Sequence, residues 1–273
     1  MKTETLNWCK CDPYTVSNPE TRKASECEII FYDTVVKELM LALAKVMQNV
    51  SDFSVTETLS NGSEKIEYVA SDVSDHPFNI GDLGTVPPPT IIWNSADSKF
   101  IDESYQKIDS LAKILENSMQ NGTWNNALCD RITYQTMEIQ EKTRVRLVIY
   151  TNRNFEQKVY GSKIPYLLKG TPADQAIHIP FSQNSEADKS SGYKGITDNQ
   201  IILLYGAYKP VKIFKTPDDP ATYTVMIETD IASSKPKLNL YSVEFRFLGS
   251  QKVIDEIIKL IDHKKINDLI MKY

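Results

Sequence analysis

Two carboxylates and a lysine near the middle of the chain, Asp130, Glu138 and Lys142, are residue types that metal-dependent nucleases use. Such enzymes place carboxylates and a lysine on adjacent strands, where they hold a divalent ion and its water. We expect Glu138 and Lys142 at a strand boundary and Asp130 one strand away. The alternative is that these charges are simply solvated at strand ends. His178, on another predicted strand, is either a catalytic base or a hydrogen-bonded structural group.

Three N-terminal cysteines, Cys9, Cys11 and Cys27, could supply thiolate ligands to zinc, with His76, His178 or Cys129 as the fourth ligand. Zinc sites usually bring their ligands in pairs separated by about two to four residues, and here there is a single close pair. We therefore expect free thiols and no bound metal. Four cysteines in 273 residues are also too few for a disulfide scaffold.

Several familiar catalytic motifs are absent from the sequence. It contains no Gly-x-Ser-x-Gly, no Gly-x-Gly-x-x-Gly and no Gly-Lys-Ser/Thr. These motifs form the nucleophile elbow of hydrolases, the dinucleotide-binding turn and the phosphate-binding P-loop. Their absence removes the usual forms of those three classes, and we predict no cofactor.

Arginines around the same central segment form a predicted basic cluster, made of Arg144, Arg146 and Arg153 with Arg131 nearby. Such a cluster could meet nucleic acid or an acidic protein face, or form surface salt links. The whole chain carries 31 Lys and Arg against 36 Asp and Glu, a net charge of -5. That balance argues against nucleic acid as the main partner.

The elements that must position these residues follow from hydrophobic periodicity. In the first third we predict a strand over 27–32 and a helix capped by Asp33. A hairpin follows, with strands over 53–59 and 66–69 joined at Asn61-Gly62. An edge strand over 90–93 comes directly after three prolines, because proline is tolerated at strand starts.

In the middle third, spacing predicts a helix over 101–119 that ends at Asn121-Gly122. Alternation at Ile132 and Tyr134 favours a strand, and residues 142–151 form the best strand, with Val145, Leu147 and Ile149 on one side. A short helix is expected around 155–160, and a long loop over 182–197.

The last third is predicted as strands followed by helices. Strands are expected over 176–181, over 201–205 as a strand covered on both faces, and over 223–227. Because Leu238 and Leu240 differ in parity from the apolar residues after them, we expect a β-bulge near Tyr241 and Ser242. Ser250 should cap a helix, with a short helix at the end of the chain. His263 would end the longer helix, where a cation suits the helix dipole.

These elements predict an α+β fold, a mainly antiparallel sheet with two to three amphipathic helices on one face. We expect an extended polar N-terminal arm over 1–26 and a single domain over 27–273, with 71–89 as a candidate subdivision. There is no signal-like segment, and the longest aliphatic run, 39–44, is too short to span a bilayer. We therefore expect no membrane partner and a cytoplasmic protein, or a virion component assembled there.

The order of elements looks in outline like that of phage tail-completion and neck proteins, over about half of the chain. That resemblance, with the polar arm and a sheet open to strand addition, favours a non-enzymatic assembly protein that contacts itself or other subunits. Two alternatives stay open. One is a divalent-metal-dependent nuclease or defence effector, and the other is a protein-binding adaptor that uses its fourteen tyrosines.

Overall fold

The computed structural model describes most of the chain, in segments. These are residues 21–47, 50, 52–59, 66, 68–70, 80, 87–160, 163–183, 196–197, 199–217, 219–232, 235 and 238–270. Several predicted features lie outside them: residues 1–20 of the arm, Cys9, Cys11, the Asn61-Gly62 turn, His76 and residues 184–195 of the loop.

The described residues include five helices and fourteen strands. The helices are α1 (Glu26–Ala42), α2 (Ser98–Gln120), α3 (Asn126–Thr143), α4 (Gln251–Leu260) and α5 (His263–Leu269). The strands of the first half are β1 (Thr21–Lys23), β2 (Phe53–Leu59), β3 (Tyr68–Ala70), β4 (Thr90–Ser95), β5 (Arg144–Thr151), β6 (Phe155–Tyr160) and β7 (Tyr166–Leu167). The remaining strands are β8 (Gln175–Ile179), β9 (Ser182–Gln183), β10 (Ile196–Thr197), β11 (Gln200–Gly206), β12 (Lys212–Thr216), β13 (Asp219–Ile227) and β14 (Ser242–Gly249).

A seven-stranded antiparallel sheet organises the molecule, with strand order β2-β4-β5-β14-β11-β8-β7. A second sheet has the order β12-β13-β6. The short pairs β1-β3 and β9-β10 complete the described pairings. Helices combined with mainly antiparallel sheets confirm the predicted α+β class.

Two hydrophobic cores lie on opposite faces of the large sheet. The side chains of β11 alternate between them: Ile201, Leu203 and Tyr205 enter one core, and Ile202 and Leu204 enter the other. The first core is closed by α1, α4 and α5, and the second contains residues of β6 and β13. The prediction that 201–205 is covered on both faces is confirmed.

The first helix begins earlier than predicted. Ser25 is its N-cap, and Ser25 and Glu28 form a capping box, in which the Ser25 amide donates to the Glu28 carboxylate at 2.8 Å. The strand predicted over 27–32 and the cap at Asp33 are therefore wrong. The apolar run at 29–32 resembles a strand by itself, but Phe31, Val35 and Leu39 share a buried helical face.

The predicted hairpin has the wrong partners. β2 pairs with β4, and β3 pairs with β1. β4 therefore lies between β2 and β5 and is not an edge strand. Strand pairing depends on tertiary contacts between distant segments, so a local turn signal did not decide it.

Two segments in the middle differ from prediction, and one agrees. Residues 126–143, including Ile132 and Tyr134, form helix α3, whereas 155–160 form strand β6 paired with β13. The strand predicted over 142–151 is confirmed as β5, with Val145, Leu147 and Ile149 in the first core.

The predicted β-bulge at 241–242 is wrong. β14 begins at Ser242 and pairs with β5 and β11 without a register shift. The chain before it is held by Asn152, whose Oδ1 accepts hydrogen bonds from the amides of Tyr241 (2.9 Å) and Ser242 (3.1 Å). Ser250 does occupy the N-cap position of α4, although its side chain makes no capping hydrogen bond.

Among the helices that the structure describes, none has the length and apolar character that crossing a membrane would require.

Candidate functional site

Helices α2 and α3 form a hairpin inserted between two neighbouring strands of the large sheet. β4 ends at Ser95 and β5 begins at Arg144, and the two strands pair with each other. Asp97 caps α2 by accepting a hydrogen bond from the Phe100 amide at 3.0 Å, and Asn125 similarly caps α3. The hairpin is thus a defined unit attached to the sheet at one end.

The apolar face of α2 is wider than the part covered by the rest of the chain. A half-buried to buried stripe runs at steps of three and four residues, and α2 packs along α3. The stripe consists of Ile101, Ser104, Ile108, Leu111, Leu115 and Ser118. On one side of it, Tyr105 and Met119 are 58% and 57% exposed, with Ala112 between them. On the other side, Phe100 and Ile114 are also exposed.

The proposed nuclease residues all fall on α3 and not on adjacent strands. Glu138 and Lys142 form an ion pair of 3.1 Å, one helical turn apart, and both side chains are exposed. Asp130 lies eight positions before Glu138, which separates their backbones by about 12 Å along the helix axis. The three side chains are therefore distributed along one helix and are not placed on adjacent strands as the prediction required.

Within the described ranges, no group of three or more His, Cys, Asp or Glu side chains is placed to hold a metal ion. Of the proposed zinc ligands, Cys27 in α1 and Cys129 in α3 lie there, both half-buried, as does His178 in β8. Cys9, Cys11 and His76 lie outside the described residues, so zinc binding by them stays a prediction.

His178 is buried and engaged at both ring nitrogens. Asn199 donates through Nδ2 to the Gly249 carbonyl at 2.7 Å, which orients its Oδ1 to accept from Nε2 of His178 at 2.8 Å. Nδ1 of His178 then accepts from the Tyr166 hydroxyl at 2.6 Å. This series of hydrogen bonds fixes the tautomer of His178 and connects β7, β8 and β14, which is the role of a structural histidine.

A cleft of about 140 Å³ lies where the C-terminal end of α3 meets the start of β5. The two exposed arginines at the start of β5 line it, together with residues from α3 and from neighbouring strands and loops. The lining includes Met137, Glu141, Arg144, Arg146, Phe181 and Asn199. Two of the three predicted binding arginines therefore share one concave surface.

The third predicted arginine, Arg153, lies beyond the opposite end of β5. Its guanidinium stacks over the Tyr150 ring at 4.1 Å. Arg246 stacks over the Phe155 ring at 3.6 Å and donates to the buried carboxylate of Glu244. The structure thus divides the predicted cluster into an open pair and a stacked residue.

Sequence reasoning identified the arginines of the cleft but missed its other walls. Phe181 and Asn199 come from segments far away in the chain, and no local pattern connects them with α3. One exposed flank of α2 could have been predicted from the sequence, because Tyr105, Ala112 and Met119 recur at steps of seven residues beside the periodic stripe.

Comparison of the chain with protein-family models, with curated proteins and with solved structures finds no match in any of the three. The fold itself defines the class, an α+β protein built on a seven-stranded antiparallel sheet with a helical hairpin between two of its strands.

Proposed function

We propose that this chain is a non-enzymatic assembly protein that contacts copies of itself or other protein subunits through the exposed flank of α2. The observation that supports this role is the pair of large side chains, Tyr105 and Met119, that stay more than half exposed beside the half-buried to buried stripe of the same helix. A virion neck or tail-completion component is the form of this role that the order of elements predicted from the sequence favours.

The physical reason is the width of the apolar face. Two helices that pack only on each other need a narrow seam, whereas a helix in a larger bundle carries a third apolar position beside that seam. α2 has this third position, at Tyr105, Ala112 and Met119. Aromatic residues and methionine are enriched at protein interfaces, so the composition of this flank also favours a protein partner.

The nuclease alternative gains no supporting contact from the described residues. Glu138 is paired with Lys142 on an exposed helix face, where such pairs are common and contribute little. A protein-binding adaptor does have a specific observation in its favour, the cleft lined by Arg144 and Arg146.

The experiment is light scattering after gel filtration, on the full chain and on two double variants. Tyr105→Glu with Met119→Glu places charge on the exposed flank. Gln106→Glu with Gln120→Glu makes the same charge change one residue further along the same helix, on exposed positions outside it. Circular dichroism confirms that each variant keeps its helices.

We expect the wild-type chain to have a mass that is a multiple of 31.0 kDa, and the flank variant to be a monomer while the control keeps the wild-type mass. An oligomer that survives the flank substitutions would contradict the proposal. A monomeric wild-type chain would exclude self-assembly and restrict the proposal to foreign subunits. Affinity capture from the source cells would then have to recover one specific subunit with the control variant and lose it with the flank variant.

A further inference from the structure

The cleft at the start of β5 has two positively charged side chains with no ion-pair partner among the described residues. Arg144 and Arg146 are two positions apart on one strand, so both project from the same face, with their Cα atoms about 7 Å apart. Both side chains are exposed. Two guanidinium groups at this spacing can approach one carboxylate or phosphate group together.

Arg153 is the natural comparison, because it comes from the same predicted cluster. Its guanidinium is stacked on Tyr150 and lies 5.1 Å from the Phe155 ring centre. Lys142, close to the cleft in sequence, is paired with Glu138. The open positive charge of this region is thus concentrated on Arg144 and Arg146.

The rest of the cleft is partly apolar and partly fixed. Met137 and Phe181 bring apolar surface, and Tyr134 packs against the Phe181 ring with centroids 5.0 Å apart. The side-chain amide of Asn199 is hydrogen-bonded to Gly249 and His178, so its orientation in the cleft is fixed. A ligand therefore meets a preformed surface with a charged side and an apolar side.

Size and charge restrict the class of ligand. A cleft of about 140 Å³ is smaller than the roughly 300–1,000 Å³ of typical small-molecule and cofactor pockets. Glu141 lies in the same lining, so the described lining residues carry two arginines and one carboxylate, a formal excess of one positive charge. This suits a single anionic side chain better than the continuous row of phosphates in a nucleic acid.

From these observations we infer that the cleft binds an acidic peptide segment of a protein partner, with one carboxylate held by Arg144 and Arg146 and a neighbouring apolar side chain against Phe181 and Met137. This site is separate from the exposed flank of α2. The inference therefore goes beyond the proposed assembly role and does not depend on it.

The test uses the full chain and fluorescence anisotropy at low salt, where exposed charges are least screened. The probes are a labelled peptide of alternating glutamate and leucine, its counterpart with glutamine in place of glutamate, and a single-stranded oligothymidylate of similar length. The variants are Arg144→Gln, Arg146→Gln, Arg146→Lys and, as a matched control, Arg131→Gln, an exposed arginine on α3 outside the cleft lining.

We expect the glutamate peptide to bind, and to bind at least about tenfold more weakly to either Arg→Gln variant of the cleft, because each loses a charge-assisted contact. Arg146→Lys should fall between wild type and Arg146→Gln, since lysine keeps the charge but loses the two-pronged geometry. Arg131→Gln should stay within about twofold of wild type. Thermal unfolding verifies that all variants are folded.

Three results would overturn the inference. They are no binding of the glutamate peptide, equal binding of the glutamine peptide, and tighter binding of the oligothymidylate through the same two arginines, which would make the cleft a phosphate site. The flank variant Tyr105→Glu with Met119→Glu should bind the peptide like wild type. Failure of the assembly role and failure of this site are therefore distinguishable.

Discussion

The hydroxyl of Tyr205 donates a hydrogen bond of 2.7 Å to Nδ1 of His263 and so joins the centre of the large sheet to the first residue of α5. Nε2 of His263 donates to the Ile258 carbonyl, also at 2.7 Å. Both nitrogens are used by the neutral ring, in which Nδ1 is an acceptor. The sequence predicts that His263 ends the longer C-terminal helix as a cation. Instead, α4 ends at Leu260, Asp262 caps α5, and His263 is the first residue of α5.

The first prediction concerns pH. Burial lowers the pKa of His263 below its usual 6.5, although the Ile258 hydrogen bond and Asp262 oppose this shift. Below that pH the unfolded chain binds a proton more readily than the folded chain, so stability is full above pH 6.5 and falls as the pH drops below it. Urea midpoints above pH 7 and at about pH 5.5 measure this slope, and His263→Gln should flatten it. An equal slope in the variant would refute the assignment.

The second prediction concerns Asn152, a buried residue with φ 51. Its side chain accepts from two amides and donates to the Asn239 carbonyl at 2.8 Å. Asn152→Ala should lower the free energy of unfolding by about 2–4 kcal/mol, because buried backbone groups lose their partners. Asn154, two residues later, accepts from Thr229 at an exposed position, and Asn154→Ala should cost less than about 1 kcal/mol. Equal losses in urea denaturation would contradict this.

The third prediction concerns the buried pair of Glu244 and Arg246. Glu244 is fully buried, and its second oxygen, Oε2, has no hydrogen-bond partner in the described structure. The same carboxylate and, above all, burial raise the pKa of Tyr208, so its hydroxyl stays protonated. Arg246→Met should therefore destabilise by about 3–5 kcal/mol, because it leaves a buried carboxylate without its cation.

Adding Glu244→Gln to Arg246→Met should recover a large part of that loss, since both charges are then gone. The control is the exposed pair of Glu138 and Lys142, for which the same cycle should give a coupling of about 0.5 kcal/mol or less. A double variant as unstable as Arg246→Met alone, measured by urea unfolding, would show that packing and not charge determines the loss.

The fourth prediction compares two glycines with positive φ. At Gly249, φ is 124, and an added Cβ would lie 2.3 Å from the Arg144 carbonyl oxygen. At Gly170, φ is 71 and nothing lies within 4 Å of an added Cβ. Gly170→Ala should cost about 1–2 kcal/mol from backbone strain alone, whereas Gly249→Ala should cost about 3 kcal/mol or more. Similar costs for the two would mean that β5 and β14 can separate without penalty.

Much of the secondary structure could be predicted because local periodicity decides it wherever one face is buried. The alternation of Val145, Leu147 and Ile149 predicts β5, and the spacing from 101 to 119 predicts α2. The same rules failed where a short apolar run fits both helix and strand, as at 27–32, and where a mixed segment such as 126–143 has no dominant period.

Local sequence pattern was enough to predict the α+β class and to place Arg144 and Arg146 side by side, because residues two apart on a strand share a face. Three other features depend on contacts across the fold: β2 pairs with β4, Asn199 accepts a hydrogen bond from His178, and Phe181 lies at the end of α3. Each of these contacts joins segments that are distant in the chain. Their free energy comes from burying surface and pairing hydrogen-bonding groups across the whole fold, which no local window of sequence contains.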